Sequence, residues 1–111
     1  MNNNLVGIIV DAGHGGIDSG AVGNNLLEKD LNLKAAKYMY ERLRELNIPA
    51  VLTRDDDTYL PKTDRVRKIL QLYNNSPNTI LVSNHINAGG GDNPSGKLTF
   101  FEIIMILKTI Y

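Results

Sequence analysis

The sequence feature that most constrains this chain is a short apolar run that ends in an acid and then in a histidine set among glycines. It occupies residues 8–21, IIVDAGHGGIDSGA. A β-branched apolar run followed by a glycine-rich turn predicts a buried strand that presents a side chain at its carboxyl end. Because glycine tolerates positive φ and has no side chain, the turn allows another molecule to come close to His14. We therefore interpret the rest of the chain as a framework around His14.

Length, charge and cysteine content limit the classes of protein to which the chain can belong. Its 111 residues suffice for a single domain, residues 1–111, with one core. The 12 basic and 12 acidic side chains cancel, which gives no electrostatic reason to expect nucleic acid as a partner. Because the chain has no cysteine, disulfides and thiolate metal ligands are excluded.

Neither a targeting segment nor a membrane span is expected. The first residues lack the basic region and the long apolar region of a signal peptide. The apolar run at residues 98–107 is too short to cross a bilayer. These features predict a protein that is made in the cytoplasm and that reaches any external substrate only after release.

Apolar runs alternate with helical periodicities along the chain. Strands are predicted at residues 5–10, 50–53 and 79–83, and helices at residues 28–46 and 61–73. The last apolar segment, residues 97–111, is also predicted as a strand, although its length would allow a helix. This alternation predicts parallel strands with right-handed crossovers. The expected fold class is therefore α/β, a layered sheet of mostly parallel strands flanked by helices.

The same periodicity predicts which face of each helix is buried. On the first helix the expected stripe follows steps of three and four residues: Leu31, Ala35, Met39, Leu43 and Leu46. On the second helix the expected buried residues are Val66, Ile69, Leu70 and Tyr73.

The two histidines of the chain, His14 and His85, both lie just past the end of a predicted strand. Since the carboxyl ends of parallel strands meet at one edge of a sheet, both are expected at the same crevice. Glu28 begins the first helix, directly after the His14 loop. Two imidazoles and one carboxylate are the ligand set of many catalytic zinc sites, which leave a fourth position for water. Asp11 and Asp18 are candidate partners for the imidazole N–H groups.

Each of these residues also has an ordinary structural interpretation. His14 alone is typical of a turn, Glu28 is an acid favoured by the helix dipole, and His85 is a residue that caps its strand. Phosphate binding by the glycines at 13–20 is disfavoured, because G-x-G-x-x-G does not occur there and no Walker lysine follows.

Five motifs, in order, resemble those of the zinc-dependent N-acetylmuramoyl-L-alanine amidases of type 3. They are DAGHGGIDSGA at 11–21, LEKDLNL at 27–33, LTR at 52–54, DRV at 64–66 and SNHINA at 83–88. The resemblance covers residues 5–91 and implies the phosphorylase/hydrolase-like amidase fold, with Zn²⁺ bound by His14, Glu28 and His85. It also implies hydrolysis of the amide between N-acetylmuramic acid and L-alanine in peptidoglycan, by an endolysin or an autolysin.

Three further residues fall on these motifs and are candidates for substrate binding: Arg54, Arg65 and Asn87. Their structural alternatives are, respectively, an ion pair at a strand end, a charge on a helix surface and a hydrogen bond within a loop. For the two arginines the scaffold interpretation is favoured. Asn84 departs from the family, which usually has an apolar residue at this position.

The chain stops resembling the family after residue 91, and residues 92–111 form a divergent apolar tail. The family's catalytic glutamate near the end of its domain is not found, which leaves Glu102 as the candidate general base. The alternative for Glu102 is a charge that protects an edge strand from aggregation. We therefore expect a C-terminally incomplete amidase from a truncated or frameshifted gene. The alternative functions are an inactive zinc- or wall-binding remnant and a small α/β protein without metal.

Overall fold

The computed structural model describes residues 4–88 and 98–108, with side chains described over residues 4–86. Within these residues the chain forms an α/β layered fold. Its elements are β1 (Gly7–Ala12), β2 (Val22–Gly23), β3 (Leu26–Leu27), α1 (Glu28–Glu45), β4 (Ala50–Leu52), α2 (Lys62–Gln71), a 3₁₀ helix (Leu72–Asn75), β5 (Thr79–Ala88) and β6 (Leu98–Lys108). The predicted fold class is confirmed, as is the strand predicted for the last apolar segment. No helix in the described part of the chain is long and apolar enough to span a membrane.

The main sheet has the strand order β4-β1-β5-β6. Strand β1 pairs in parallel with both neighbours, so that Val10 lies opposite Leu52 on one side and Val82 on the other. Strand β6 pairs with β5 in the antiparallel direction. The carboxyl ends of β1, β4 and β5 therefore lie at the same edge of the sheet, where a ligand site is expected in folds of this kind.

Two apolar clusters cover the two faces of the sheet. Because successive strand residues point to opposite faces, Ile9 packs with Ile69 of α2 while Val10 packs with Ala36 of α1. Each helix thus covers one face, and β1 is buried on both, as its nearly continuous apolar sequence predicts.

The buried face of α1 differs from the predicted stripe. The helix buries Glu28, Asn32 and Ala36, whereas Leu46 is 58% exposed. These three residues form an i, i+4 row that lies one position away from the predicted one. The reason is that the amino-terminal end of α1 packs against the polar edge of the sheet rather than against the apolar core. Met39 and Leu43 pack against the core as predicted.

The buried face of α2 is also narrower than predicted. Ile69 is buried, but Val66 and Leu70 are 48% and 45% exposed. The reason is that Arg65, four residues before Ile69, occupies the row that faces the sheet, so the residues that follow each of them point about 100° away. Periodicity alone could not distinguish an arginine that faces inward from one that faces solvent.

The structure corrects the predicted position of His85. Strand β5 continues to Ala88, so His85 lies within the strand and not beyond its end. Pairing with β6 accounts for the extension, because His85 lies opposite Glu102 in that ladder. The loop predicted between β1 and α1 also contains a small hairpin, formed by β2 and β3.

Candidate metal centre

The structure brings His14, Glu28 and His85 together at the carboxyl edge of the sheet. Nε2 of His14 lies 3.1 Å from Oε2 of Glu28, and Nδ1 of His85 lies 3.2 Å from the same oxygen. The two rings are nearly perpendicular, with centroids 5.1 Å apart. Across the described residues, one potential ligand atom from each of these side chains lies within 4.8 Å of the others.

This geometry fits a tetrahedral metal ion. Ligand atoms about 2.0–2.1 Å from zinc lie roughly 3.3 Å from one another, which is close to the two separations from Oε2 of Glu28. Glu28 is buried, whereas both histidines are only partly buried. The three residues therefore form a candidate ligand set with one side open to solvent, as a site that admits water and substrate requires.

Left-handed backbone in the loop after β1 directs His14 toward Glu28. His14 itself has φ 64°, and Gly15 and Gly16 also have positive φ. At Gly13 an added Cβ would lie 2.4 Å from Cε1 of His85, and at Gly20 it would lie 2.7 Å from Cδ2 of His14. The glycines thus allow a close approach, as the sequence predicts, but the groups that approach belong to this chain.

Asp18 orients the ring of His14. Its Oδ2 accepts a hydrogen bond of 2.8 Å from Nδ1 of His14, and its Oδ1 accepts one from the amide of Gly20. The bond to His14 lowers the pKa of Asp18 below its ordinary value. With Nδ1 bound to Asp18, the other ring nitrogen, Nε2, faces Oε2 of Glu28, and a partner on the second ring nitrogen is usual for a metal-binding histidine. The predicted contact of Asp18 with an imidazole nitrogen is confirmed.

Asp11 does not contact a histidine, and that prediction is wrong. Its carboxylate accepts hydrogen bonds from Thr53, Ser83 and Arg65, which join β1 to its neighbours and to α2. Burial acts to raise the pKa of Asp11, but the charge of Arg65 and these three hydrogen bonds outweigh it and lower the pKa. Asp11 is therefore a buried anion of the framework.

Glu28 is surrounded by hydrogen-bond donors. Oε1 accepts from the amide of Ala21, and Oε2 accepts from the amide of Ile86 and from Nδ2 of Asn32, each at 3.0 Å. Burial acts to raise the pKa of Glu28, but these bonds lower it overall. The carboxylate is thus ionised, as a metal ligand must be.

Sequence reasoning missed Asn32, whose amide also donates to the carbonyl of Gly13. Its place four residues after Glu28, on the same helix face, was the available signal.

The two arginines bind main-chain carbonyls around the His14 loop. Arg65 forms an ion pair with Asp11 and donates to the carbonyls of Ala12 and His14. Arg54 is buried and donates to four carbonyls, so the ion pair expected of Arg54 is made by Arg65 instead. The carbonyls bound by Arg54 are those of Ala12, Gly13, Lys29 and Asp56.

The remaining predicted residues lie in β5 and β6. Asn84 is fully buried, and β5 pairs without interruption through it, so this departure from the family leaves the strand regular. The side chains of Asn87 and Glu102 lie outside the described side chains. In the strand ladder Asn87 lies opposite Phe100, and Glu102 lies opposite His85.

A cleft of about 440 Å³ opens beside the two histidines. Its wall combines the polar groups of the site with apolar and basic side chains. The lining residues are His14, Asp18, Tyr59, Leu60, Lys62, Arg65, Val66 and His85.

The fold and the site define an α/β protein with a His–Glu–His group of the kind that binds a catalytic metal, placed at the carboxyl ends of parallel strands. The sequence profile of the family described as N-acetylmuramoyl-L-alanine amidase matches residues 8–108. The chain therefore belongs to the N-acetylmuramoyl-L-alanine amidase family. The matched range includes β6 and is wider than the range of the five motifs.

Individual relatives agree with this family. The chain is 36% identical over 104 residues to the N-acetylmuramoyl-L-alanine amidase LytC of Bacillus subtilis, covering 92% of this chain and 20% of LytC. It is 43% identical over 101 residues to the endolysin of Bacillus phage SPP1, covering 90% and 34% of the two chains. The crystal structure of the N-acetylmuramoyl-L-alanine amidase from Clostridium difficile 630 superposes with a TM-score of 0.67 at 39% identity, covering 81% and 48%. The chain thus spans less than half the length of each of these relatives.

Proposed function

We propose that this chain is a zinc-dependent N-acetylmuramoyl-L-alanine amidase of peptidoglycan. The reaction is hydrolysis of the amide that joins the lactyl group of N-acetylmuramic acid to the first L-alanine of the stem peptide. The observation that carries the proposal is the convergence of His14, Glu28 and His85, with both histidines at the wall of an open cleft.

The residues of the chain provide a ligand set suited to zinc rather than to a hard cation such as Mg²⁺, because two of the three ligands are imidazoles. When bound, zinc supplies a Lewis acid that acidifies water and polarises an amide carbonyl. Asp18 holds the His14 ring through Nδ1, which leaves Nε2 facing Glu28, and the donors around Glu28 keep its carboxylate ionised. The solvent-exposed sides of the two histidines leave room for water and for the amide.

The cleft suits a muramyl peptide. Tyr59, Leu60 and Val66 provide an apolar surface against which a sugar ring or an alanyl methyl group packs. Lys62 lines the same cleft and is a cation suited to a carboxylate of the stem peptide. The guanidinium of Arg65 is already bound to Asp11 and to carbonyls of the His14 loop. Lys62 is therefore the cleft residue proposed to bind the substrate through its charge.

Glu102 is the proposed general base of the reaction. Its register position opposite His85 supports this role. Loss of a general acid–base group typically lowers the rate by about 10²–10⁴-fold, so Glu102→Gln should reduce hydrolysis to that extent without changing zinc content. Glu45→Gln, on an exposed part of α1, is the matched control. An unchanged rate in the Glu102 variant would leave this residue only the role of a charge on β6.

The proposed site of action is the cell wall. Among the relatives are an endolysin of Bacillus phage SPP1 and a sporulation-specific N-acetylmuramoyl-L-alanine amidase of Bacillus subtilis. We extend this site of action to the present chain, which would act on the cell wall after its release from the cell that makes it.

Product analysis on purified peptidoglycan tests the proposal. The zinc-loaded chain should release new L-alanine amino termini without new reducing sugar ends, and His85→Ala or chelation should abolish the release. Because loss of a general base alone lowers the rate by about 10²–10⁴-fold, the assay must resolve rates that low. Zinc binding and wall binding with no such release would contradict the amidase and support the inactive remnant.

A further inference from the structure

Arg54 is a buried cation whose hydrogen bonds go to backbone carbonyls. It is the second residue after β4 and is 4% exposed. Arginine keeps its charge in proteins and has five N–H donors in a planar fork. Four donated bonds of 2.7–3.1 Å are present, one from Nε, one from Nη1 and two from Nη2. With its donors used in this way, the guanidinium is not directed at the substrate cleft, and its side chain is absent from the cleft wall.

The acceptors of Arg54 lie on the two segments that carry metal ligands. The carbonyl of Gly13, 3.0 Å from Nη2, immediately precedes His14. The carbonyl of Lys29, also 3.0 Å from Nη2, immediately follows Glu28. One nitrogen atom therefore joins the main chain next to one ligand to the main chain next to another.

A second link converges on the same carbonyl. Nδ2 of Asn32 donates both to Gly13 and to Oε2 of Glu28. The carbonyl of Gly13 thus accepts from Arg54 and from Asn32, each of which reaches the segment of Glu28. Such convergence fixes the separation between the His14 loop and the amino end of α1.

We propose that Arg54 is a positioning residue of the metal centre, which sets the separation of His14 and Glu28 before the metal binds. This inference rests on the proposed zinc function. Partners that orient metal ligands typically contribute about 10- to 100-fold to metal affinity. A lysine retains the charge, but its single ammonium nitrogen does not reproduce the planar fork that spans these carbonyls.

The test compares zinc affinity in the wild-type chain, Arg54→Lys and Arg67→Lys. Arg67 is exposed on α2 and pairs with Asp64 at the surface, so it serves as the control for an arginine-to-lysine change. The Kd for zinc is measured by competition with a chromogenic chelator, and folding of the metal-free chains by circular dichroism. R54K should fold and bind zinc about 10- to 100-fold more weakly, whereas R67K should bind like wild type. The ligand-field absorption of bound Co²⁺ should also change in R54K.

The outcomes separate this inference from the function on which it rests. A folded R54K chain with the wild-type Kd would overturn the positioning role and leave the zinc proposal intact. An R54K chain that does not fold would assign Arg54 to the framework and also overturn the positioning role. A wild-type chain that does not bind zinc would overturn the proposed function itself.

Discussion

The imidazole of His14 lies between two carboxylates, with Nε2 3.1 Å from Glu28 and Nδ1 2.8 Å from Asp18. The ring is therefore fixed by contacts on both nitrogens while part of it stays accessible from the cleft. This relationship depends on the left-handed backbone at His14 and on the glycines that follow it. It explains how a loop of low apolar content presents a side chain in one orientation.

Replacing Asp18 should weaken metal binding without unfolding the chain. Asp18→Asn removes the anionic acceptor that orients His14, and such a loss typically costs about 10- to 100-fold in metal affinity. Asp64→Asn, in an exposed pair on α2, is the control. Equal zinc Kd values for the two variants, measured by chelator competition, would contradict the orienting role of Asp18.

Replacing Asp11 should destabilise the metal-free chain. Asp11→Asn leaves Arg65 without its carboxylate partner, and breaking a buried ion pair costs about 3 kcal/mol. The exposed pair of Arg67 and Asp64 should contribute less than about 1 kcal/mol when broken by Asp64→Asn. Urea unfolding in the presence of a chelator measures the unfolding free energy of both variants. Similar losses of unfolding free energy in the two would contradict a larger contribution from the Asp11–Arg65 pair.

The acid sensitivity of the fold should depend on Asp11. Its pKa is lowered in the folded chain from an ordinary value of 3.8, so the folded state binds its proton less readily than the unfolded state. The resulting stability is complete above the ordinary value and is lost as pH falls through the lower, folded-state pKa. The unfolding free energy of Asp11→Asn should thus fall less steeply over this acidic range than that of wild type. Parallel pH profiles would show that other carboxylates account for the acid sensitivity.

Lys62 should contribute to substrate binding rather than to the chemical step. Lys62→Ala should raise the KM for soluble muramyl peptides that carry a stem-peptide carboxylate and leave kcat unchanged, because the charge contacts a remote part of the substrate. Lys34→Ala, on the exposed side of α1, is the control. An unchanged KM would remove Lys62 from the proposed binding surface.

Sequence patterns predicted the parts of the fold that depend on local order along the chain. The apolar run of β1 and the spacing of strands and helices predicted a layered, mostly parallel sheet, and this sheet places His14 and His85 at a common edge. The helical periodicity of α1 predicted its extent and the core contacts of Met39 and Leu43, but in the first half of the helix the observed buried row lies one residue away from the predicted one. That displacement arises because the polar pair Glu28 and Asn32 faces the site, which a search for apolar stripes does not detect.

The carbonyl contacts of the arginines could not be predicted from sequence. Arg54 and the carbonyl of Gly13 are 41 residues apart, and their contact depends on how the segments after β1 and β4 meet. The inward orientation of Arg65, which leaves Val66 exposed, depends on the same packing. Because every residue has a backbone carbonyl, the sequence does not indicate which carbonyl an arginine will bind. Such contacts become visible only in the folded structure.

Zinc stoichiometry is the most direct measurement of the central claim. The wild-type chain, loaded with zinc and dialysed against metal-free buffer, should retain one zinc ion per chain by elemental analysis. Glu28→Gln and His85→Ala should retain none, while the exposed-site control Asp64→Asn should retain the wild-type amount. A folded wild-type chain without zinc, or ligand variants that keep it, would contradict a metal centre formed by His14, Glu28 and His85.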